Sequence, residues 1–332
     1  MNSYDTKNQT SAAKNFYEWV TGFIDAEGCF HIKRKIMSNG KIRYYFEFVI
    51  KLHIDDVAVL RTICHTLGVG RVVLRPKYST CSFEVGSEKE LRTLIDLLDK
   101  YQLMGDKYLD YLNFREAFFL YFDRSNLVTE SLKTKIEELR ANHNTKRVTT
   151  TLPSNYTRVI TDYKLLGLIE GEGSFIVRTS GLTPIFELEL TSAQRPLLIE
   201  IYEYLTLRSI LIAGILNLPS KGGIKIRDRK AKGNSKSSVR LEITGVDFLH
   251  NYFNVFLSEL EFYSRKKEDF KTFCFICNKL FNKAHINNEE IKDLLVKLSS
   301  EMNGARLSTN KLTDKTLTDK DKIWRDEETS DS

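Results

Sequence analysis

No run of eighteen apolar residues occurs anywhere in the 332-residue sequence, so it offers no candidate membrane-spanning helix. Cysteine is scarce: five residues, an odd number scattered along a long chain, argue against a disulfide framework and for a reducing compartment. Met1 to Asn15 lacks an apolar core and an arginine-rich amphipathic pattern. The expectation is no cleavable targeting peptide, and action where the protein is made. Walker and dinucleotide-binding loops are missing, and His53, His65, His143 and His250 have no HExxH-type ligand spacing. Cys274-Phe-Ile-Cys277 has no second pair and sits in an apolar helical pattern with Phe270, Phe273 and Ile276, which reads as core rather than metal site. Nor is there a strong excess of one charge. Lys and Arg number 50 against 44 acids, a net +6 with a pI near 8.8, informative only if the cations share a surface.

What the sequence does contain is a repeat. Val20-Thr-Gly-Phe-Ile-Asp-Ala-Glu-Gly28 and Leu165-Leu-Gly-Leu-Ile-Glu-Gly-Glu-Gly173 lie 172 − 27 = 145 residues apart, a domain's length rather than a solenoid period. Tyr45–Leu52 aligns with Ile185–Ser192, and Lys107-Tyr-Leu-Asp-Tyr with Lys266-Lys-Glu-Asp-Phe, in the same order. Each half reads as helix, two strands, helix, two strands, then helices. The first-half strands are expected at Cys29–Ile36, Ile42–Leu52, Arg71–Pro76 and Thr80–Gly86, with an Asn39-Gly40 hairpin turn. Helices are expected at Asp56–Leu67, Glu88–Leu103 and Lys107–Arg124. In the second half the strands are expected at Ser174–Thr179, Ile185–Ala193, Ile210–Leu218, Ile224–Arg229 and Ser238–Thr244. Its helices are expected at Pro196–Leu207, Lys266–His285 and Glu289–Glu301. The domain expectation is a flexible N-terminus at 1–14, halves at 15–125 and 162–306, a linker at 126–161 holding a short helix near Ser131–Asn142, and a disordered polar tail at 307–332.

The two repeated segments carry the chemistry. Gly22 and Ala26, like Gly167 and Gly171, are four apart and share a helix face, where small residues let two backbones approach. Glycine inside a helix costs about 0.5–1 kcal/mol, and mutual helix packing would offset it. Gly28 and Gly173 suit the left-handed position that ends a helix, which puts Glu27 and Glu172 at helix C-termini. Two carboxylates brought together there repel unless a cation lies between them. Mg²⁺ takes oxygen ligands and accepts one or two carboxylates completed by phosphate and water.

Both segments resemble the LAGLIDADG motif of a homing endonuclease family, over roughly residues 15–125 and 160–285. The first departs at the first, second, fourth and eighth letters and the second at the second, sixth, seventh and eighth; the eighth change, Glu for Asp, keeps an acid. The resemblance implies an α+β fold of two pseudo-symmetric αββαββα(α) halves. Each carries a four-stranded antiparallel, saddle-like sheet, and the halves pack through the motif helices. It implies metal-dependent, staggered cleavage of double-stranded DNA across the minor groove by a monomer. Two or more Mg²⁺ ions would be held by Glu27 and Glu172, with the backbone carbonyls of Ala26 and Gly171 as further ligands. It also implies a basic residue at each centre, here Lys107 and Lys266, with Lys267 as an alternative to the latter. Some members of the family are intron maturases, so the chain's own intron RNA is a second partner to consider; a non-cleaving DNA-binding regulator is a third reading. The family's usual coding in organelle introns makes a mitochondrion or other organelle the expected location.

Alternation along the strands supports a nucleic-acid face. His31, Lys33 and Lys35 oppose Phe30 and Ile32; Lys41, Arg43, Tyr45, Glu47 and Lys51 oppose Ile42, Tyr44, Phe46, Phe48 and Ile50. Arg71 and Arg75 (with Lys77 beyond), Arg178, Glu187, Lys225, Arg227, Arg229 and Arg240 continue the pattern, and Lys230 and Lys232 are candidate phosphate contacts. Strands of ~8 residues at ~3.3 Å each span about 8 base pairs per half, giving a site of roughly 18–22 pairs. Because the halves differ, that site should not be a palindrome.

Overall fold

The computed structural model describes residues 3–123, 129–144, 147, 151–219, 222–231, 233 and 236–309; Lys232 and the tail from 310 lie outside them. The chain divides into a unit from Met1 to Gly171 and a unit from Glu172 to Ser332.

In the first unit, helix α1 (Ser3–Glu27) runs directly into β1 (Gly28–Ile36), which pairs with β2 (Ile42–His53). Gly40, at φ 75°, makes the turn between them. α2 (Val57–Leu67) leads to β3 (Arg71–Arg75) and β4 (Thr80–Val85), and the antiparallel sheet has the order β1-β2-β4-β3. α3 (Glu88–Lys100), α4 (Lys107–Phe122), α5 (Glu130–Ala141) and α6 (Asp162–Glu172) follow. The inward rows of the sheet meet α4 through aromatic rings: Phe30 lies 5.1 Å from Phe48 and 5.3 Å from Phe114. Burying rings of this size supplies the main driving force for such a core.

The second unit repeats the plan with β5 (Gly173–Arg178), β6 (Thr183–Thr191), α7 (Arg195–Ile215), β7 (Ile224–Arg229) and β8 (Ser238–Thr244) in the order β5-β6-β8-β7. Phe175 takes the place of Phe30, 5.3 Å from Phe186 and 5.2 Å from Phe273 of α10 (Lys266–Phe281). Between them, α8 (Val246–Phe248), a π-helical turn (Leu249–Phe253) and α9 (Asn254–Ser258) make a helical segment the periodicity had not announced; α11 (Glu289–Ser300) closes the unit. None of the described helices is long and apolar enough to cross a membrane.

Two expectations need correcting. Ile210–Leu218, expected as a strand, is the end of α7. Ile212 and Ala213 are buried while Ile210, Leu211 and Ile215 are exposed, so this turn is apolar all round and hides the helical period. Residues 3–14 lie within α1. Gly28 and Gly173 are not left-handed: positive φ among the described glycines falls at Gly40, Gly68, Gly70, Gly233 and Gly245. Gly28 is needed for space instead, since a Cβ there would lie 2.8 Å from the Ile24 carbonyl oxygen.

A repeated clasp ties each β-sheet to the helices behind it. Asn144 donates through its backbone N–H to Asp110 Oδ1 (2.8 Å) and through Nδ2 to the Phe30 carbonyl (2.7 Å). Asn303 makes the same pair of bonds to Asp269 (3.0 Å) and Phe175 (2.7 Å). Both asparagines sit at positive φ, 53° and 58°, a conformation asparagine tolerates better than alanine. Asn303→Ala is therefore expected to cost about 2 kcal/mol, read as a lower denaturation midpoint, with Asn303→Asp in between.

Candidate active centre and nucleic-acid interface

The first unit contains both motif helices as far as Gly171, and their backbones touch. A Cβ on Gly22 would stand 1.9 Å from the Lys164 carbonyl oxygen, one on Gly167 2.1 Å from the Trp19 oxygen, and one on Gly171 2.2 Å from Ala26 Cβ. The small residues at these four positions permit this approach. Around them lies a buried polar set: Trp19 Nε1 donates to Glu170 Oε1 (2.8 Å) and Lys164 Nζ to the Gln102 carbonyl (2.7 Å). Burial lowers the Lys164 pKa against the pull of Asp25 and Glu18.

Glu27 is half-buried as the last residue of α1, and Glu172, exposed, is the last of α6. The same hypothetical Gly171 Cβ would lie 3.4 Å from Glu27 Cγ, so the first carboxylate stands beside the residue that precedes the second. Lys107 opens α4 and turns back to α1, its Nζ donating to the carbonyls of Ile24 (3.0 Å) and Ala26 (2.9 Å). A cation on the last carbonyls of a helix is favoured by the macrodipole. The Ala26 oxygen keeps a second lone pair. In the second unit Lys266, rather than its neighbour Lys267, reaches back to the motif, donating to the Gly173 carbonyl at 2.7 Å.

Asp25 was not singled out from the sequence. Its Oδ2 accepts from Met104 N–H (2.6 Å) and its Oδ1 from Gly105 N–H (3.0 Å). Burial pushes its pKa up to about 6, against the opposing effects of the Met104 amide, Lys107, the Gly105 amide and Lys164.

The donors here are oxygens of carboxylates and carbonyls. Among the described residues no three His, Cys, Asp or Glu side chains converge as a cage. That set fits a hard divalent ion completed by substrate phosphate and water better than a softer metal held wholly by protein.

On the outer face of the first sheet the register sets His31 opposite Glu47, Lys33 opposite Tyr45, Lys35 opposite Arg43, Lys51 opposite Ser82, Arg71 opposite Glu84 and Arg75 opposite Thr80. Lys33 pairs with Glu47. Burial raises the Glu84 pKa, but hydrogen bonds from Arg75 (2.7 Å), Ser82 and Arg71 outweigh it and hold it low. Lys35, Arg43, Tyr45 and Lys51 are exposed, as are Lys41 in the hairpin and Lys77 beyond β3.

The second face is more evenly charged. Arg240 donates from Nη1 to Glu187 (2.7 Å) and from Nε and Nη2 to Glu189 (3.0 and 2.7 Å). Arg227 pairs with Glu242 at 2.6 Å and Arg229 with Glu189 at 3.4 Å. Lys225 lies opposite Glu242; Arg178 and Lys230 are exposed at strand ends. Glu189 was missed because a lone acid in an alternating strand gives no signal of its own.

Comparison with known proteins places this geometry. A model of the LAGLIDADG endonuclease family matches residues 20–118 and 165–277, well over half of the chain. The probable intron-encoded endonuclease Cox1-I1b of Schizosaccharomyces pombe is 31% identical over 193 residues, covering 58% of this chain and 50% of that protein. The uncharacterized mitochondrial protein RF1 of Saccharomyces cerevisiae is 26% identical over 308 residues, covering 89% and 61%. The chain thus spans between half and two thirds of the length of these relatives. Among solved structures, the LAGLIDADG homing endonuclease I-GzeII in complex with its DNA target superposes with a TM-score of 0.70 at 23% identity, covering 87% of this chain and 99% of that one. I-SmaMI bound to cleaved DNA gives 0.70 at 22% identity, covering 88% and 98%.

Proposed function

The chain belongs to the LAGLIDADG endonuclease family, and from that membership we propose that it is a site-specific DNA homing endonuclease acting as a monomer on a long, non-palindromic duplex of about 18–22 base pairs. The observation that carries the reading is an acid kept at the penultimate position of both motifs, Glu27 and Glu172, each ending its helix at the first strand of a sheet with a cation-bearing outer face. A DNA-binding regulator without cleavage needs neither acid.

In this reading Glu27 and Glu172, with the carbonyls of Ala26 and Gly171, hold divalent ions, Mg²⁺ by their oxygen chemistry. Bound there, the ions would neutralise charge on the scissile phosphates and activate water for in-line attack. Lys107 and Lys266 place one cation at each centre, and each centre serves one strand. The first sheet, with exposed cations outnumbering the acids of its outer face, supplies much of the phosphate attraction. On the second, Glu187 and Glu189 are held by Arg240 as acceptors suited to the amino groups of cytosine or adenine. The named mitochondrial and intron-encoded relatives support synthesis in a mitochondrion, with the joined exon sequence as the target.

Full-length protein incubated with duplex carrying that junction and Mg²⁺ is expected to yield two products with staggered ends. Chelation should stop cleavage and spare binding, and affinity should fall steeply with salt. Cleavage that persists in chelator would overturn the metal reading, and binding indifferent to salt would overturn the sheet-face reading.

A further inference from the structure

Resting on the nuclease reading, we propose that Asp25 is a positioning residue that aims Lys107, and that through Lys107 it governs scission of one DNA strand rather than both.

The geometry is a closed ring between two short segments. Asp25 takes the amides of Met104 and Gly105 at 2.6 and 3.0 Å, just ahead of α4, whose first residue is Lys107. Lys107 Nζ returns to the carbonyls of Ile24 and Ala26 at 3.0 and 2.9 Å, the residues on either side of Asp25. The segment ahead of α4 is also gripped by its carbonyls. Tyr156 Oη donates to Leu103 (2.6 Å), Arg158 Nε to Met104 (2.7 Å) and Lys164 Nζ to Gln102 (2.7 Å). Asp25 thus fixes where α4 begins relative to the end of α1. A lysine on a flexible four-carbon stem keeps its cation beside the Ala26 carbonyl, one residue from Glu27, only if its own backbone is fixed there.

In the second half Lys266 has contacts of its own. Lys266 N–H donates to Ser264 Oγ (3.2 Å), a cap within its own segment, and Lys266 Nζ goes to Gly173. Glu170, which occupies the place of Asp25 in the second motif, accepts from Trp19 Nε1 across to α1. The Asp25 ring closes on Lys107, while Lys266 is bonded to Gly173, so removing the Asp25 carboxylate acts on one lysine of the two.

The test uses the full chain and a supercoiled plasmid with a single target site, each strand end-labelled. Wild-type protein is expected to linearise it. Asp25→Ala, and to a lesser degree Asp25→Asn, should accumulate nicked circles, with one strand cut about 10- to 100-fold more slowly and the other within about threefold of wild type. The slowed strand should be the one that Lys107→Met slows, with duplex affinity unchanged. Equal slowing of both strands, as a merely structural role would give, overturns the proposal, as does a bias toward the opposite strand. If the Asp25 variants do not fold, Met104→Pro removes one of the two donated amides from the other side, and the same two readings apply. Wild-type protein that cuts neither strand would sink the nuclease reading, and this inference with it.

Discussion

Replacing Glu27 or Glu172 by glutamine is expected to lower double-strand cleavage by at least about 10³-fold, roughly 4 kcal/mol of lost transition-state stabilisation, while duplex affinity changes by no more than about threefold. Glutamine keeps the shape of the side chain but removes the charge, and a neutral amide oxygen holds a hard cation more weakly than a carboxylate does. Stability should move the other way. Each glutamate is the last residue of its helix, where a negative charge faces the negative end of the macrodipole at a cost of about 0.3–1 kcal/mol. The variants should thus be as stable as wild type or slightly more so, which separates loss of chemistry from loss of fold. Gel cleavage assays with saturating enzyme, fluorescence anisotropy in chelator and a denaturation curve measure the three quantities. Undiminished cutting by either variant removes that residue from the centre.

Much of this arrangement could be read from the sequence because it rests on patterns that repeat. Period-two alternation in Ile42 to Lys51 fixed which face would carry Arg43, Tyr45 and Glu47, and the register bears those faces out. Lys107 and Lys266 were located by order alone. The Asp three residues after each, Asp110 and Asp269, was visible in the same match, but its role was not. That role depends on Asn144 and Asn303, which lie 34 residues further on in each half and are single polar residues outside any periodic segment. Asp25 was illegible for a similar reason: its partners are backbone amides at Met104 and Gly105, and an amide leaves no trace in a residue's identity. On the second face, the sequence could list Arg240 as a DNA contact but could not reveal that its guanidinium is already engaged by Glu187 and Glu189. Ile210 to Ile215 misled because tertiary exposure, not pattern, decides which apolar residues a helix buries.

The four small residues of the motif helices lead to the second large effect. Gly22→Ala and Gly167→Ala should each destabilise the first unit by about 3 kcal/mol or more, although alanine is the better helix former by about 0.5–1 kcal/mol. The added methyl would have to occupy space 1.9 Å from the Lys164 carbonyl oxygen in one case and 2.1 Å from the Trp19 oxygen in the other. Both obstacles are backbone atoms of the facing helix, so no rotamer change relieves the clash; α1 and α6 must separate. Separation would also stretch the 2.8 Å bond from Trp19 to Glu170, leaving a polar group of a buried pair without its partner. Gly214, on α7, supplies the internal control. A Cβ there meets nothing within 4 Å, so Gly214→Ala should stabilise the chain by about 0.4–1 kcal/mol. Opposite signs from the same chemical change, measured by urea denaturation, would show that close approach of the motif helices, and not helix propensity, keeps glycine at positions 22 and 167. If Gly167→Ala proved neutral, the two backbones would have to be farther apart than described here. The proposed metal role of the Ala26 and Gly171 carbonyls would then lose the close helix approach on which it rests.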